Sequence, residues 1–404
     1  MSMLQDRTAI LFVITATIIG LCGAFFYPLT SLFLVEQLNA SPMMLSLYMV
    51  VAVISSVSVS QMIAGKSDRG WQRKTILLIS VSCQLVTVFS FIFIREYWIA
   101  IVVVSLLGSI SGAAFGQLFA LGREYGDKYV TDSASFVSTM RAGIAIAWVF
   151  GPPLAFLLKA AYGFEASFTV AATIIAMSIL VIFLGIPNVE RNLRVEKEPS
   201  RTNGGWVSSV NPLVSIYCLI IVLAFAANNL YIVSMPLYLS QELKVDANWL
   251  GVLFGVAALC EIPVMLWAGK LARRWSALTI MKVGIASGVL FYSVMLLATN
   301  YTHLIVAQIL NGIFIGTCAT LGMVVMQDMM KDKLGTASTL FSNMLQLSML
   351  VSSLSVGVVG ELFNYYSSFY VSLFGVSLAL ILLILLICCQ TKLAASTALV
   401  PNSN

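Results

Sequence analysis

Charge is what this chain lacks. Only 10% of its 404 residues are charged, 17 acidic and 22 basic, and there is 1 histidine. Soluble domains carry about 25% charge, so a soluble fold of this size is excluded. With His303 the sole imidazole, no His cluster can form, and no Ser-His-Asp set, paired acids or phosphate loop is seen in the sequence. These absences remove most metal and nucleophile mechanisms. The chain is therefore read as a non-enzyme without cofactor or metal. The cysteines, Cys22, Cys83, Cys218, Cys260, Cys318, Cys388 and Cys389, show neither metal-ligand spacing nor a disulfide framework. They sit in or beside apolar runs and read as small packing residues.

Apolar residues are in excess instead, at 60% of the chain, with a mean hydropathy of +0.97. A membrane-spanning helix needs about 20 of them in a row. The sequence divides into twelve such runs, at 8–35, 43–65, 75–94, 98–121, 134–158, 167–186, 212–239, 247–268, 278–298, 302–325, 336–359 and 367–389. The runs do not alternate in period two, which argues against an outer-membrane barrel. The expected class is an all-α polytopic membrane protein. The first run is too long for a secretory signal and no small-residue cleavage site follows it, so it is read as a retained helix.

A net charge of +5 points to nucleic acid in a soluble protein, but here its placement points to a bilayer. With the N-terminus inside, 18 of the 22 basic residues fall on inside segments. Arg95, Lys159 and Lys244 fall outside, and Arg141 lies within a span. That asymmetry sets both termini in the cytoplasm. It also explains the charged stretch "GKSDRGWQRK", residues 65–74, as an inside turn between the second and third runs.

Two halves echo each other. Six runs precede residue 187 and six follow residue 211. Between them lies "PNVERNLRVEKEPSRTNGGWVSSVN", rich in Pro, Gly, Ser and charge. Gly65-Lys66 recurs as Gly269-Lys270, and "LFLVEQL" from Leu32 recurs as "LYLSQEL" from Leu237. A weak repeat at one offset suggests two homologous six-helix bundles, with 1–187 and 212–404 as the bundles and 188–211 as a cytoplasmic linker. Parallel repeats of this kind put a substrate site near the midplane, between the halves.

The charged turn resembles the loop signature of the major facilitator superfamily, through Gly65, Lys66, Asp68, Arg69, Gly70, Arg73 and Lys74. The second copy, "GKLARRWS", lacks the acid. The resemblance implies that Asp68 caps or pairs with a neighbouring helix end and steadies one of two conformations. The fifth run, "RAGIAIAWVFGPPLAF", is similar to an antiporter motif of that superfamily through Gly143, Gly151, Pro152 and Pro153. Residues 122–156, with the overall layout, look like the sugar efflux transporters of the superfamily. That resemblance implies a bacterial inner-membrane protein that exports small sugars or glycosides in exchange for protons, by alternating access. The expected partners are the sugar, protons and the lipid bilayer, with no nucleic acid, and the expected state is a monomer.

Charges at bilayer depth cost about 2.5–3.5 kcal/mol on insertion scales. Two lie deep, Arg141 in the fifth run and Glu261 in the eighth, each about 12–14 Å from a cytoplasmic helix end at 1.5 Å per residue. The resemblance implies that these two helices meet across the halves. Arg141 and Glu261 are then expected to pair when the cytoplasmic side is closed. Burial favours a neutral carboxyl and a neighbouring arginine favours its ionised form. A glutamate that gains and loses that partner therefore gains and loses a proton. The arginine common on the fourth span of the superfamily is absent here, where Gln117 lies deep and Arg123 only at the mouth.

A neutral sugar needs hydrogen-bonding amides and flat apolar rings. The candidates in the first half are Phe25, Phe26, Tyr27, Gln84, Gln117 and Trp148. In the second half they are Asn228, Asn229, Tyr231, Gln308, Asn311, Asn343 and Gln346. Adjacent amides such as Asn228 and Asn229 point about 100° apart on a helix, so at least one faces protein or water. Two alternatives share this architecture: a drug/proton exporter, which the 18 methionines keep open, and a sugar uniporter, should Glu261 be only structural.

Overall fold

The computed structural model describes residues 6–68, 71–188, 212–244, 248–272, 274–298, 300–330 and 334–398. No strand occurs among them. The helices in chain order are α1 (Arg7–Glu36), α2 (Pro42–Asp68), α3 (Arg73–Ser90) and α4 (Tyr97–Tyr129). A single helical run, Ser133–Gly185, follows. Its 53 residues would reach about 80 Å at 1.5 Å per residue, far beyond a hydrocarbon core of about 30 Å. The run breaks at Gly163, whose φ of 82° and ψ of −179° suit a residue without Cβ. It is thus two spans, α5 (133–162) and α6 (164–185). Then come α7 (Pro212–Glu242), α8 (Asn248–Leu271), α9 (Ala277–Leu297), α10 (Tyr301–Met329), α11 (Leu334–Leu362) and α12 (Ser368–Ala398). These twelve helices coincide with the twelve apolar runs. The gap left at 159–166 between the fifth and sixth runs is helical except at Gly163, because Ala160, Ala161 and Ala166 are strong helix formers.

Two segments are wound as π-helix, Val104–Gly108 within α4 and Tyr238–Glu242 at the end of α7. Large apolar side chains such as Phe93, Leu184, Leu266 and Phe374 point outward, each more than 60% exposed. In water that would be a liability, whereas lipid accommodates it.

The chain forms two compact units. The first is Met1–Glu196 with Pro236–Gly255, and the second is Lys197–Met235 with Val256–Asn404. Of the expected linker, everything beyond Asn188 lies outside the described residues.

In the first unit α1 runs along α5 and α6. Its start is capped by Asp6, whose carboxylate accepts from the backbone N–H of Thr8 at 2.9 Å and Ala9 at 3.4 Å, satisfying two of the four amides a helix start leaves open. The Tyr125 hydroxyl donates to the same carboxylate at 2.7 Å and ties α4 to α1. Halfway along, Gly151 of α5 presses on α1 so closely that a Cβ there would lie 2.6 Å from the Ala24 Cβ and 3.1 Å from its carbonyl carbon. Phe26, Phe33, Phe91 and Phe168 fill the centre with edge-to-face and tilted contacts at 4.9–5.9 Å.

In the second unit α9 packs on α10 and α12. The Ser287 hydroxyl donates to the Leu310 carbonyl at 2.9 Å. The Tyr217 hydroxyl of α7 donates to the Gly322 carbonyl at 2.8 Å, and the Tyr366 hydroxyl donates to the Leu296 carbonyl at 2.7 Å. Hydroxyls thus finish at backbone carbonyls of another helix, as a bilayer favours.

The glycine contact yields opposite expectations for two substitutions. Gly151→Ala forces backbone apart and should destabilise by about 1–3 kcal/mol. Gly23→Ala meets no atom within 4 Å and should stabilise by about 0.5–1 kcal/mol through helix propensity. Apparent melting temperatures in detergent, falling for the first and rising for the second, check this.

Candidate functional site

Three polar groupings stand out. The first lies at the end of unit one that holds Arg7, Arg73 and Lys74, here called the basic end. The Arg73 guanidinium pairs with Glu124 of α4 at 2.8 Å and also donates to the Ser67 hydroxyl at 3.1 Å. Ser67 donates in turn to the Gln117 side-chain carbonyl at 2.8 Å. Lys74 donates to the Phe183 carbonyl at 3.0 Å, and the Lys66 ammonium lies 5.2 Å from the centre of the Trp71 ring. The charged turn therefore braces α2, α3, α4 and α6. Asp68 is the last residue of α2, and its side chain lies outside the described set, as do Arg69 and Gly70. Gln117 is 2% exposed and belongs to this brace.

The second grouping is aromatic. Tyr27 of α1 and Trp148 of α5 approach with ring centres 6.3 Å apart. The Tyr27 hydroxyl is buried without a hydrogen-bond partner among the described residues, and Trp148 is exposed. Arg141 sits two turns earlier on the same helix. It is exposed, and its guanidinium lies 5.4 Å from the centre of the Phe119 ring of α4, a cation–π arrangement. Phe25 and Phe26 face a different way: Phe25 is 2% exposed and Phe26 is packed on Phe91. Gln84 on α3 is half-buried.

The third grouping lies in the second unit. The Tyr231 hydroxyl of α7 donates to the Gln308 carbonyl of α10 at 3.0 Å. The Gln308 amide donates to the Leu304 carbonyl at 3.0 Å, and the Asn311 amide reaches Gln308 at 3.4 Å. Gln308 is fully buried and acts as the hub that orients the other two. The Asn311 carbonyl oxygen is buried without a partner. Leaving such an acceptor unmet costs about 1–3 kcal/mol. On α7 the Asn229 amide donates to Ser348 of α11 at 3.2 Å, while Asn228 is half-buried. Asn343 is half-buried and Gln346 exposed on α11.

Glu261 is half-buried on α8, two residues before Pro263. Its backbone is seated by α10: a Cβ on Gly312 would lie 3.0 Å from the Glu261 nitrogen, and one on Gly316 would lie 3.0 Å from its carbonyl oxygen. Glu261 therefore shares a helix contact with the turn that carries Asn311. Arg141 belongs to the first unit and Glu261 to the second.

Sequence reasoning brought out the amides and the deep charges but missed the hydroxyls that answer them, Ser67 and Ser348. It also missed an ion pair between Lys159 and Glu36 at 2.8 Å. One signal was available for that pair, since Lys159 is one of few basic residues that fall outside the segments expected to face the cytoplasm. No group of three or more His, Cys, Asp or Glu able to hold a metal occurs among the described residues.

The chain matches the family model of the Major Facilitator Superfamily over residues 12–297 and 217–396. It is 34% identical to sugar efflux transporter A of Dickeya chrysanthemi, over 92% of this chain and 93% of that one. It is 32% identical to sugar efflux transporter C of Escherichia coli K12, over 95% and 97%. Among solved structures, the nucleoside transporter NupG superposes with a TM-score of 0.72 at 13% identity, covering 95% of this chain and 99% of that one. At that identity the superposition speaks for the fold alone. All three relatives are named as transporters and none as an enzyme. Matches over nearly the whole length at this identity show that the chain belongs to the sugar efflux transporter family of the Major Facilitator Superfamily.

Proposed function

We propose that this protein exports a small sugar or glycoside across the bacterial inner membrane in exchange for protons, by alternating access of two six-helix halves. What carries the reading is that relatives named as sugar efflux transporters match nine-tenths or more of the chain. The chemistry of the candidate residues supports it. Tyr27 and Trp148 supply aromatic faces for the C–H side of a sugar ring. The Tyr27 hydroxyl and the Asn311 carbonyl oxygen are buried and without partners among the described residues, so each can meet a sugar hydroxyl. Asn228, Asn229, Gln84, Asn343 and Gln346 are the further amides in reach of such a role. Tyr231, Gln308 and Gln117 act by orienting neighbours, and Phe26 acts by holding α1 behind Tyr27. In this reading Glu261 carries the proton, and Arg141 is the cation that displaces it. Asp68 steadies the basic end in one of the two conformations.

In inside-out vesicles under a pH gradient, labelled sugars should move and cationic dyes should not. Movement of the dyes alone would favour a drug exporter. Glu261→Gln should abolish gradient-driven export and spare counterflow of sugar, whereas gradient-driven export at the parent rate would favour a uniporter. Trp148→Ala and Asn311→Ala should each raise the sugar KM about ten-fold, a loss of about 1.4 kcal/mol, with kcat little changed. For sidedness, alkaline phosphatase fused after Arg95 should be active, and fused after Arg194 inactive. The reverse pattern would overturn the cytoplasmic placement of the termini.

A further inference from the structure

The ion pair that sequence reasoning missed sits at the end of unit one opposite the basic end. The Lys159 ammonium of α5 meets one oxygen of Glu36 at 2.8 Å, with side chains only 15% and 19% exposed. The Ser240 hydroxyl donates to the other oxygen. Lys159 also lies 5.0 Å from the centre of the Phe164 ring of α6. One carboxylate therefore joins the ends of α1, α5 and α7. A second ion pair nearby, Arg95 with Glu165, has the same 2.8 Å length, but its side chains are 57% and 69% exposed. Exposed pairs contribute little. Breaking a shielded pair leaves an uncompensated charge, so the Glu36 pair resists opening and the Arg95 pair does not.

The manner in which α7 reaches this carboxylate is also unusual. Ser240 lies in the π-wound turn Tyr238–Glu242, and single π turns in otherwise α-helical spans mark functional places. Ser240 belongs to "LYLSQEL" and Glu36 to "LFLVEQL", so the two copies of the internal repeat touch each other here. The segment Pro236–Gly255 packs with the first unit although the rest of α7 and α8 belongs to the second. Its limits fall on a proline, which removes a helical hydrogen bond, and on a glycine, which bends with least resistance. The segment is also held by Phe254, stacked on Phe156 at 5.3 Å, and by Gly251, which lies over Leu157 and Pro153.

We propose that Glu36, Lys159 and Ser240 form a latch that keeps Pro236–Gly255 docked on the first unit, and that cargo leaves on this side only after the latch opens. Pro236 and Gly255 are the points about which the segment swings. The inference rests on the reading as a transporter, and not on the identity of the cargo or on protons.

The test is a reversible lock. Glu36→Cys with Ser240→Cys should cross-link on oxidation. A third substitution, Gly23→Cys, places a thiol where a side chain meets no atom within 4 Å, about 20 Å along α1 from the latch. Oxidation should cut sugar transport at least ten-fold and should equally reduce labelling of that thiol by a membrane-impermeant maleimide added on the latch side. Reductant should restore both. Lys159→Glu alone should raise the labelling several-fold, and Lys159→Glu with Glu36→Lys should bring it back. Absence of the cross-link, or cross-linked protein that transports and labels like the reduced form, overturns the latch. If the parent moves no sugar at all, the cargo reading fails and the labelling alone decides the latch.

Discussion

A bilayer gives no water to a polar group, and the structure of this protein follows from that single constraint. Every backbone amide in a span must be answered within its own helix, which leaves helices as the form the chain takes. Every side-chain hydroxyl or amide must find a carbonyl, another side chain or a guest. The Tyr217, Ser287 and Tyr366 hydroxyls end on carbonyls of neighbouring helices. The Tyr27 hydroxyl and the Asn311 oxygen end on nothing. In water those two groups would be unremarked, but inside a membrane protein each carries a cost, which is why the proposed sugar contacts are placed there.

The same constraint accounts for how the helices associate. Lipid is as apolar as leucine, so burial of apolar surface does not drive helix against helix. Close backbone approach does, and glycine permits it. Gly151 on α5 and Gly312 and Gly316 on α10 bring helix backbones together beside functional side chains. At the basic end the work passes to charge: Arg73, Glu124, Ser67 and Gln117 form one connected set that fixes the turn between α2 and α3 against α4.

Much of this was legible in the sequence because lipid is an unforgiving reader. Twelve apolar runs became twelve helices, since the length of a span is set by the bilayer and not by tertiary detail. The internal repeat was visible in "LFLVEQL" and "LYLSQEL", although nothing in it announced that the two copies touch. Long-range partners were not legible. Lys159 and Glu36 lie far apart in the chain, and no periodicity links them. Gln117 read as a pocket amide because its depth along the helix suggested one, but depth does not give the direction in which a side chain points. Phe26 and Tyr27 are adjacent and were indistinguishable by type. Their helix turns one ring into the aromatic core and leaves the other beside Trp148.

Gly163 carries a consequence for how the protein is made. With a single residue between α5 and α6, the two helices have no loop between them to be delivered on its own. Two apolar helices joined this closely favour entry into the bilayer together, as a hairpin whose tip crosses once. That tip carries Lys159 and Glu165, charges of opposite sign, so it crosses with no net charge of its own. An insertion there would lengthen the part that has to be translocated and would separate two helices that the chain joins through Gly163 alone.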